Sequence, residues 1–501
     1  MRPPAASHDL ARRRALCLIR TRKEPDMADY DFLDTMQTVN PFPVTDPRAI
    51  PAARYHDEAF FRAESEHVWP HAWQMACRLE TIPEVGDWIE YAILGKSVLV
   101  VRTGTGIKAF HNHCRHRGVP IAGGTNFETG GNASGNCRHS GFVCPFHGWR
   151  WNMDGENTWV YGRHLFDADQ LDHAELALKP VRVETWGGCA FVNFDNAAAP
   201  LHETFGPVLG RLEAHGMNEL RAEWWYATEL PANWKIAMEA FMEGYHVMMT
   251  HPQLQRAAPG LYNSRYGLDT GGIGLPIDPE QSVAENIAAQ IEHLELLSNG
   301  MAGMVQAKEV AIARELADVS LPETVAEAVP MWFGLVQEAI TRKLREAGEA
   351  VPDLNAVCQS YPVNAVEYLF PNYFLLPFFT SMASYRIRPL GPERCLFEIW
   401  SLTHFAPGEE PEAPMEPIVL PFDSQNFPMI PRQDYSNIPL QQRGLHSKGF
   451  EFMRLSGQVE GLISNYQRLI DAYIDQKDTA ELSAASRRLG GNFDGPILNF
   501  D

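Results

Sequence analysis

The sequence predicts an α+β protein with two cores: an all-β N-terminal module followed by a larger domain in which helices pack on an antiparallel sheet. Three observations predict it. The 501 residues exceed one ordinary domain. Short strand-like runs punctuated by Gly turns fill about 86–195. Beyond residue 195 the texture is mixed, with helix-forming stretches and then strands again.

Taken in order, residues 1–45 read as an extension and 1–26 as poorly ordered. Arg12, Arg13, Arg14, Arg20, Arg22 and Lys23 flank an apolar stretch, Ala15 to Ile19, too short for a secretory core. A transit peptide is one reading of this leader; translation from Met27 is the plainer one. Residues 46–195 form the all-β module with a lead-in helix. In it Trp88–Leu94 and Ser97–Val101 bracket Gly95-Lys96 as a hairpin. Residues 196–501 form the second domain, with a helix over Trp234–Met249, helical segments within 281–348, and strands at Tyr373–Leu376, Ala383–Arg388 and Cys395–Leu402. Pro389–Arg394 is expected as a loop, Pro407–Pro421 as a surface loop, and 444–475 as a last helix. The antiparallel arrangement follows from the short connections.

Composition removes several functions. At 45% hydrophobic and 21% charged, with a net charge of −21, the chain is globular and too acidic for a nucleic-acid backbone. No apolar run approaches the roughly 20 residues of a membrane-spanning helix. Eight cysteines are too sparse for a disulfide framework and cluster with histidines, which suits a reducing, cytoplasmic setting and a metal site.

Cys114-Arg-His116 and Cys144-Pro-Phe-His147 carry that metal chemistry. Two thiolates and two imidazoles suit a [2Fe–2S] cluster in which the cysteines hold one iron and the histidines the other, raising its potential over that of an all-cysteine cluster. Cys137-Arg-His139 competes, but only residues 140–143 separate it from Cys144, too short for two loops on separate hairpins, whereas residues 117–143 suffice. Cys137 and His139 are therefore read as part of a Gly/Asn-rich inserted loop around Gly130–Gly141. A tetrahedral zinc site is the alternative use of the same ligands.

Farther on, Glu239, Glu243 and His246 fall at i, i+4 and i+7 of the expected helix. Pro252 disfavours helix at His251, which can then swing toward the same point. Two histidines and one carboxylate on one face suit a mononuclear Fe(II) that activates dioxygen. An ordinary amphipathic helix is the alternative reading.

The flanking residues, Cys114-Arg-His-Arg-Gly118 and Cys144-Pro-Phe-His-Gly-Trp149, resemble the cluster loops of the Rieske ring-hydroxylating oxygenases. Likewise Arg432-Gln-Asp434-Tyr-Ser-Asn437, followed by Gln-Arg443-Gly, resembles that family's late Asp motif, placed just before a helix start. The resemblance implies Asp434 as the third iron ligand with His246 and His251. It implies Glu243, where the family commonly has Asp, as the electron-transfer bridge to a Rieske histidine across a subunit boundary. It also implies a Rieske domain plus a helix-grip catalytic domain, an α3 or α3β3 assembly, and electrons from NAD(P)H through a reductase or ferredoxin. The expected reaction uses O2 on a small aromatic substrate, with single hydroxylation or O- or N-demethylation as the alternative. A bare Rieske electron carrier and a zinc-stabilised binding module remain the competitors from other classes.

Overall fold

The computed structural model describes residues 40–123, 133–266, 277–301 and 303–499. The basic leader, Met27 and residues 130–132 of the inserted loop lie outside the described residues.

Ala49–Pro51 (β1) and a short helix, Glu58–Ala63 (α1), open the described chain. Asp57 caps the helix by accepting from the amides of Ala59 and Phe60. Seven strands then form one antiparallel sheet in the order β2-β11-β10-β5-β4-β3-β6. They are Gln74–Arg78 (β2), Asp87–Ile93 (β3), Lys96–Thr103 (β4), Gly106–His111 (β5), Ser134–Asn136 (β6), Pro180–Trp186 (β10) and Cys189–Asn193 (β11). A small three-stranded sheet of Phe142–Val143 (β7), Arg150–Trp151 (β8) and Asn157–Trp159 (β9) lies apart from it. The β3–β4 hairpin turns on Leu94-Gly95, one residue earlier than the expected Gly95-Lys96. Both residues take positive φ, 45° and 73°, the type I′ geometry that matches strand twist. Leu rarely adopts that region, so its identity hid the turn.

After Leu201–Ala214 (α2), a second sheet has the order β13-β14-β15-β16-β12-β17. Its strands are Arg221–Leu230 (β12), Glu367–Leu369 (β13), Tyr373–Pro377 (β14), Met382–Gly391 (β15), Arg394–Thr403 (β16) and Ile418–Val419 (β17). All pairs are antiparallel except β12–β17. Two expected loops are corrected: β15 runs on through Pro389 and pairs it with Cys395, and Pro407–Pro421 contains the exposed edge strand β17. β12 was not anticipated, although the outward alternation of Arg221, Glu223 and Glu229 around buried Ala222, Trp225 and Ala227 is a strand pattern.

The helix expected over Trp234–Met249 is broken. Trp234–Glu239 (α3) ends where Phe241 is drawn onto the sheet beside Phe374 and Tyr385, and the amides of Phe241 and Met242 turn back to i−3 carbonyls. The Gly244 amide donates to the Asp494 carboxylate. The helix resumes as Val247–Thr250 (α4) and, after His251, as Pro252–Ala257 (α5). Helices Val283–Met301 (α6), Ala307–Arg314 (α7) and Val325–Glu346 (α8) occupy the region expected to be helical. The last expected helix, 444–475, is replaced by Met429–Leu445 (α9), the strand Phe452–Arg454 (β18) paired with β1, and Gly461–Ile474 (α10). The Gln-Arg-Gly run thus closes α9 and does not start a helix, and Asp434 lies inside α9.

Strand alternation gives the six-stranded sheet two faces. Tyr385 and Phe397 face α3 and α9, while Arg386, Arg388 and Glu398 face the N-terminal module. No helix among the described residues is long and apolar enough to cross a membrane.

Candidate metal centres

Cys114 follows β5, and Cys144 sits in the β7–β8 hairpin. Each loop closes in the same way: the amide of Gly118 donates to the Cys114 carbonyl and that of Gly148 to the Cys144 carbonyl. A second bond from each Cys amide, to Val119 and Trp149 respectively, tightens the turn. The four donors separate by element. The Cys114 and Cys144 thiols lie close enough to interact, and the rings of His116 and His147 lie 4.8 Å apart. The His116 ring stacks on Trp149 at 4.8 Å and 12°. Both imidazole Nδ1 atoms are buried with no hydrogen-bond partner, as expected of ligand atoms reserved for a metal. Burial raises the Cys114 thiol to about 11, and a bound metal would favour the thiolate in its place. Thiols on one side and orphaned nitrogens on the other fit a cluster with two chemically distinct irons.

The competing pair is separated from this arrangement. Cys137 is buried in the apolar cluster that also holds Phe142, its amide donating to the Gly86 carbonyl, and His139 is exposed.

In the second centre, His246 precedes α4, His251 lies between α4 and α5, and Asp434 is on α9. One donor atom from each falls within 4.8 Å of the others. His251 Nε2 is 3.1 Å and His246 Nε2 3.8 Å from Asp434 Oδ1. The far nitrogens explain why Nε2 is presented. His246 Nδ1 donates to Glu243 Oε1 at 2.9 Å, and the His246 amide donates to Glu243 Oε2. A carboxylate only accepts, so Nδ1 carries the proton and Nε2 its lone pair. His251 Nδ1 lies 2.8 Å from the Gln433 carbonyl oxygen, whose orientation is fixed by reciprocal bonds with Gln253. Burial disfavours the charged form of His246, yet the Glu243 carboxylate, helped by Asp434, raises its pKa to about 9. So negative a site favours a cation.

Two family models match: "Rieske [2Fe-2S] domain" over residues 72–163 and "Ring hydroxylating alpha subunit (catalytic domain)" over residues 217–476. The chain belongs to the Rieske non-heme iron oxygenase alpha subunits. Its domains are those of a [2Fe–2S] cluster and a mononuclear iron, and the two-domain α+β expectation agrees with the family. The carnitine monooxygenase oxygenase subunit of Escherichia coli (strain K12) is 30% identical over 40% of this chain and 52% of that protein. The glycine betaine monooxygenase oxygenase subunit of Pseudomonas aeruginosa (strain UCBPP-PA14) is 28% identical over 41% and 45%. These matches span about half the length of the curated relatives. Among solved structures, a quaternary ammonium Rieske monooxygenase in complex with L-carnitine has a TM-score of 0.53, 17% identity, and coverage of 86% of this chain and 97% of that one. Naphthalene 1,2-dioxygenase from Rhodococcus sp. gives 0.56, 18%, 88% and 98%. Both share the fold.

The structure brings His246, His251 and Asp434 together and sets Glu243 behind His246. It does not bring Glu239, which turns away to Tyr55 and Gln467. Sequence reasoning missed Gln433. Its place beside Asp434 was visible, but its partner is far away in the chain.

Proposed function

We propose that this alpha subunit is the terminal oxygenase of a multicomponent system that inserts oxygen from O2 into a small organic substrate, using electrons passed from NAD(P)H by a separate reductase or ferredoxin. Residues 46–195 hold the cluster through Cys114, His116, Cys144 and His147, and residues 196–501 hold Fe(II) through His246, His251 and Asp434. The observation that carries this is the convergence of two locked Nε2 atoms and one carboxylate oxygen, with orphaned cluster-type nitrogens in the other domain. When bound, the cluster supplies one stored electron and the iron supplies O2 activation.

Glu243 serves as the bridge to a neighbouring subunit's cluster in a homotrimer or α3β3 assembly in the cytoplasm. Exposed Tyr245 and Met249 beside it, and exposed Phe146 next to His147, support such a contact. The substrate is aromatic and undergoes ring hydroxylation, a reading supported by the aromatic face formed by Phe241, Phe374, Tyr385 and Phe397, which meets Tyr435 next to Asp434 on α9. A second reading, monooxygenation of a quaternary ammonium compound, is favoured by the similarity to carnitine and glycine betaine monooxygenases, and aromatic faces also attract such cations.

The test is iron and acid-labile sulfide analysis with EPR on anaerobically purified protein and on His246→Ala/His251→Ala. About three irons and two sulfides per chain, with selective loss of one iron in the variant, are expected. Zinc in place of iron, or an iron count the variant leaves unchanged, would remove the oxygenase reading. With ¹⁸O2 and a reductase, two labelled hydroxyls on an arene mark dihydroxylation; release of an aldehyde or amine marks the second reading.

A further inference from the structure

Among the described residues, the tyrosines no more than 2% exposed divide into two sets. Tyr55, Tyr91, Tyr368, Tyr373 and Tyr466 each place the hydroxyl on a protein partner: Glu239, Gln74, the Phe241 carbonyl, Ser384 and the Pro371 carbonyl, respectively. Tyr385 and Tyr435 are as deeply buried, 0% and 1% exposed, and their hydroxyls have no partner. Both belong to one place. Tyr435 follows Asp434 on α9, and Tyr385 reaches up from β15 on the face that α3 and α9 cover. Phe397 stands between them, 5.9 Å from the Tyr385 ring and 5.1 Å from the Tyr435 ring.

The rings are accounted for. Tyr385 stacks on its cross-strand partner Phe374 at 4.7 Å and 4°, and Tyr435 meets Phe427 edge-on at 5.2 Å. Packing therefore explains the aromatic bodies but not the oxygens, since phenylalanine would pack as well without an orphaned donor. Each phenol is a buried, unpartnered O–H donor set among aromatic rings near Asp434.

Resting on the oxygenase reading above, we propose that Tyr385 and Tyr435 are specificity-determining residues. They donate hydrogen bonds to an acceptor oxygen of the substrate, which is a flat apolar body bearing a carbonyl or similar uncharged oxygen. A plain hydrocarbon leaves both donors orphaned, and the cationic end of a quaternary ammonium compound offers them nothing to bond. A site built to hydrogen-bond its ligand rejects the analogue that lacks the group.

The experiment compares acetophenone with ethylbenzene, a pair matched in shape, as ligands of the anaerobic, iron- and cluster-loaded chain, by calorimetry and melting shift. The native protein is expected to bind acetophenone about tenfold more tightly or better, and Tyr385→Phe/Tyr435→Phe to reduce that preference to about twofold. The unliganded variant should melt no lower than the native chain, because an unsatisfied donor has been removed. The single variants give the same comparison if the double variant does not accumulate. No preference in the native protein, or a preference that survives both substitutions, overturns the assignment, and the hydroxyls then hold water only. Binding needs no reductase, so the oxygenase reading fails separately, by absence of an O2-dependent product from any substrate.

Discussion

Gln433 holds the His251 ring from the side opposite the metal position, with its amide set by Gln253. Replacing it with Leu removes the acceptor that fixes the His251 tautomer, while Glu restores one. Gln433→Leu is expected to weaken iron retention by about 10–100-fold, measured as iron remaining after dialysis against a chelator, with Gln433→Glu much closer to native. Full iron retention in the Leu variant would show that the ring is held by packing alone. A second residue-scale device lies on α3. Glu239 is buried among Tyr55, Gln467, Lys235 and Arg54, and burial raises its pKa to about 7 despite those partners. The folded state therefore holds a proton that the unfolded state, titrating near 4.5, releases. This contribution is fully present below about pH 4.5, is lost as pH rises through 7, and is constant above it. Glu239→Gln should raise unfolding stability at pH 8 by up to about 3 kcal/mol and hardly change it at pH 4.5, in urea titrations at both pH values. An equal effect at the two pH values would assign the gain to something other than titration.

At the scale of elements, the Cys114 and Cys144 loops, the candidate cluster loops, are tight turns that a Gly amide closes onto a Cys carbonyl, and the Cys137 turn repeats the pattern through Gly141. Gly141 takes φ 64°, and a Cβ there would sit 2.2 Å from the Trp151 carbonyl oxygen. That atom is backbone of β8, the strand that anchors the Cys144 hairpin, so it cannot yield without moving the hairpin. Gly141→Ala is expected to deplete the cluster, read as lost visible absorbance and labile sulfide, while the mononuclear iron remains. Retention of both would mean the hairpin has slack. The same scale shows where local reading failed. Helical periodicity ran through residues 234–249, but Phe241 is worth more on the sheet than in a helix, and a break after Glu239 lets His246 and His251 meet. α9 was missed at its start because Pro431 and Pro439 mask its period, although a proline in the first turn is compatible with a helix.

At the scale of the whole molecule, the two domains are clamped by buried charge. Glu398 on β16 pairs with Arg386 at 2.7 Å and Arg388 at 3.0 Å. Arg386 also donates to the carbonyls of Met75 and Ala76, and Arg388 to that of Ala92, all in the Rieske domain. Arg386→Met removes the guanidinium donor to the Met75 and Ala76 carbonyls and leaves Glu398 with one counter-charge, Arg388. A loss of about 3–5 kcal/mol is expected, with the cluster absorbance and tryptophan fluorescence unfolding at separate urea concentrations. A single coincident transition at native stability would exclude the clamp.

The sequence by itself determined the candidate ligand types and their local frames. Cys114-Arg-His116, Cys144-Pro-Phe-His147 and the His246 to Pro252 segment are contiguous, and short turns depend on near neighbours. It also determined the two-domain α+β class, because strand and helix periods are local properties. Only the tertiary structure decided which carboxylate each histidine faces. Glu239 and Glu243 look equivalent on a helical wheel, yet the chain break sends one to Tyr55 and Gln467 and the other to His246. Gln433, the Arg386–Glu398–Arg388 clamp and the two unpartnered phenols were likewise invisible. Each depends on residues brought together from distant parts of the chain by sheet register and core packing, and no local pattern records such contacts.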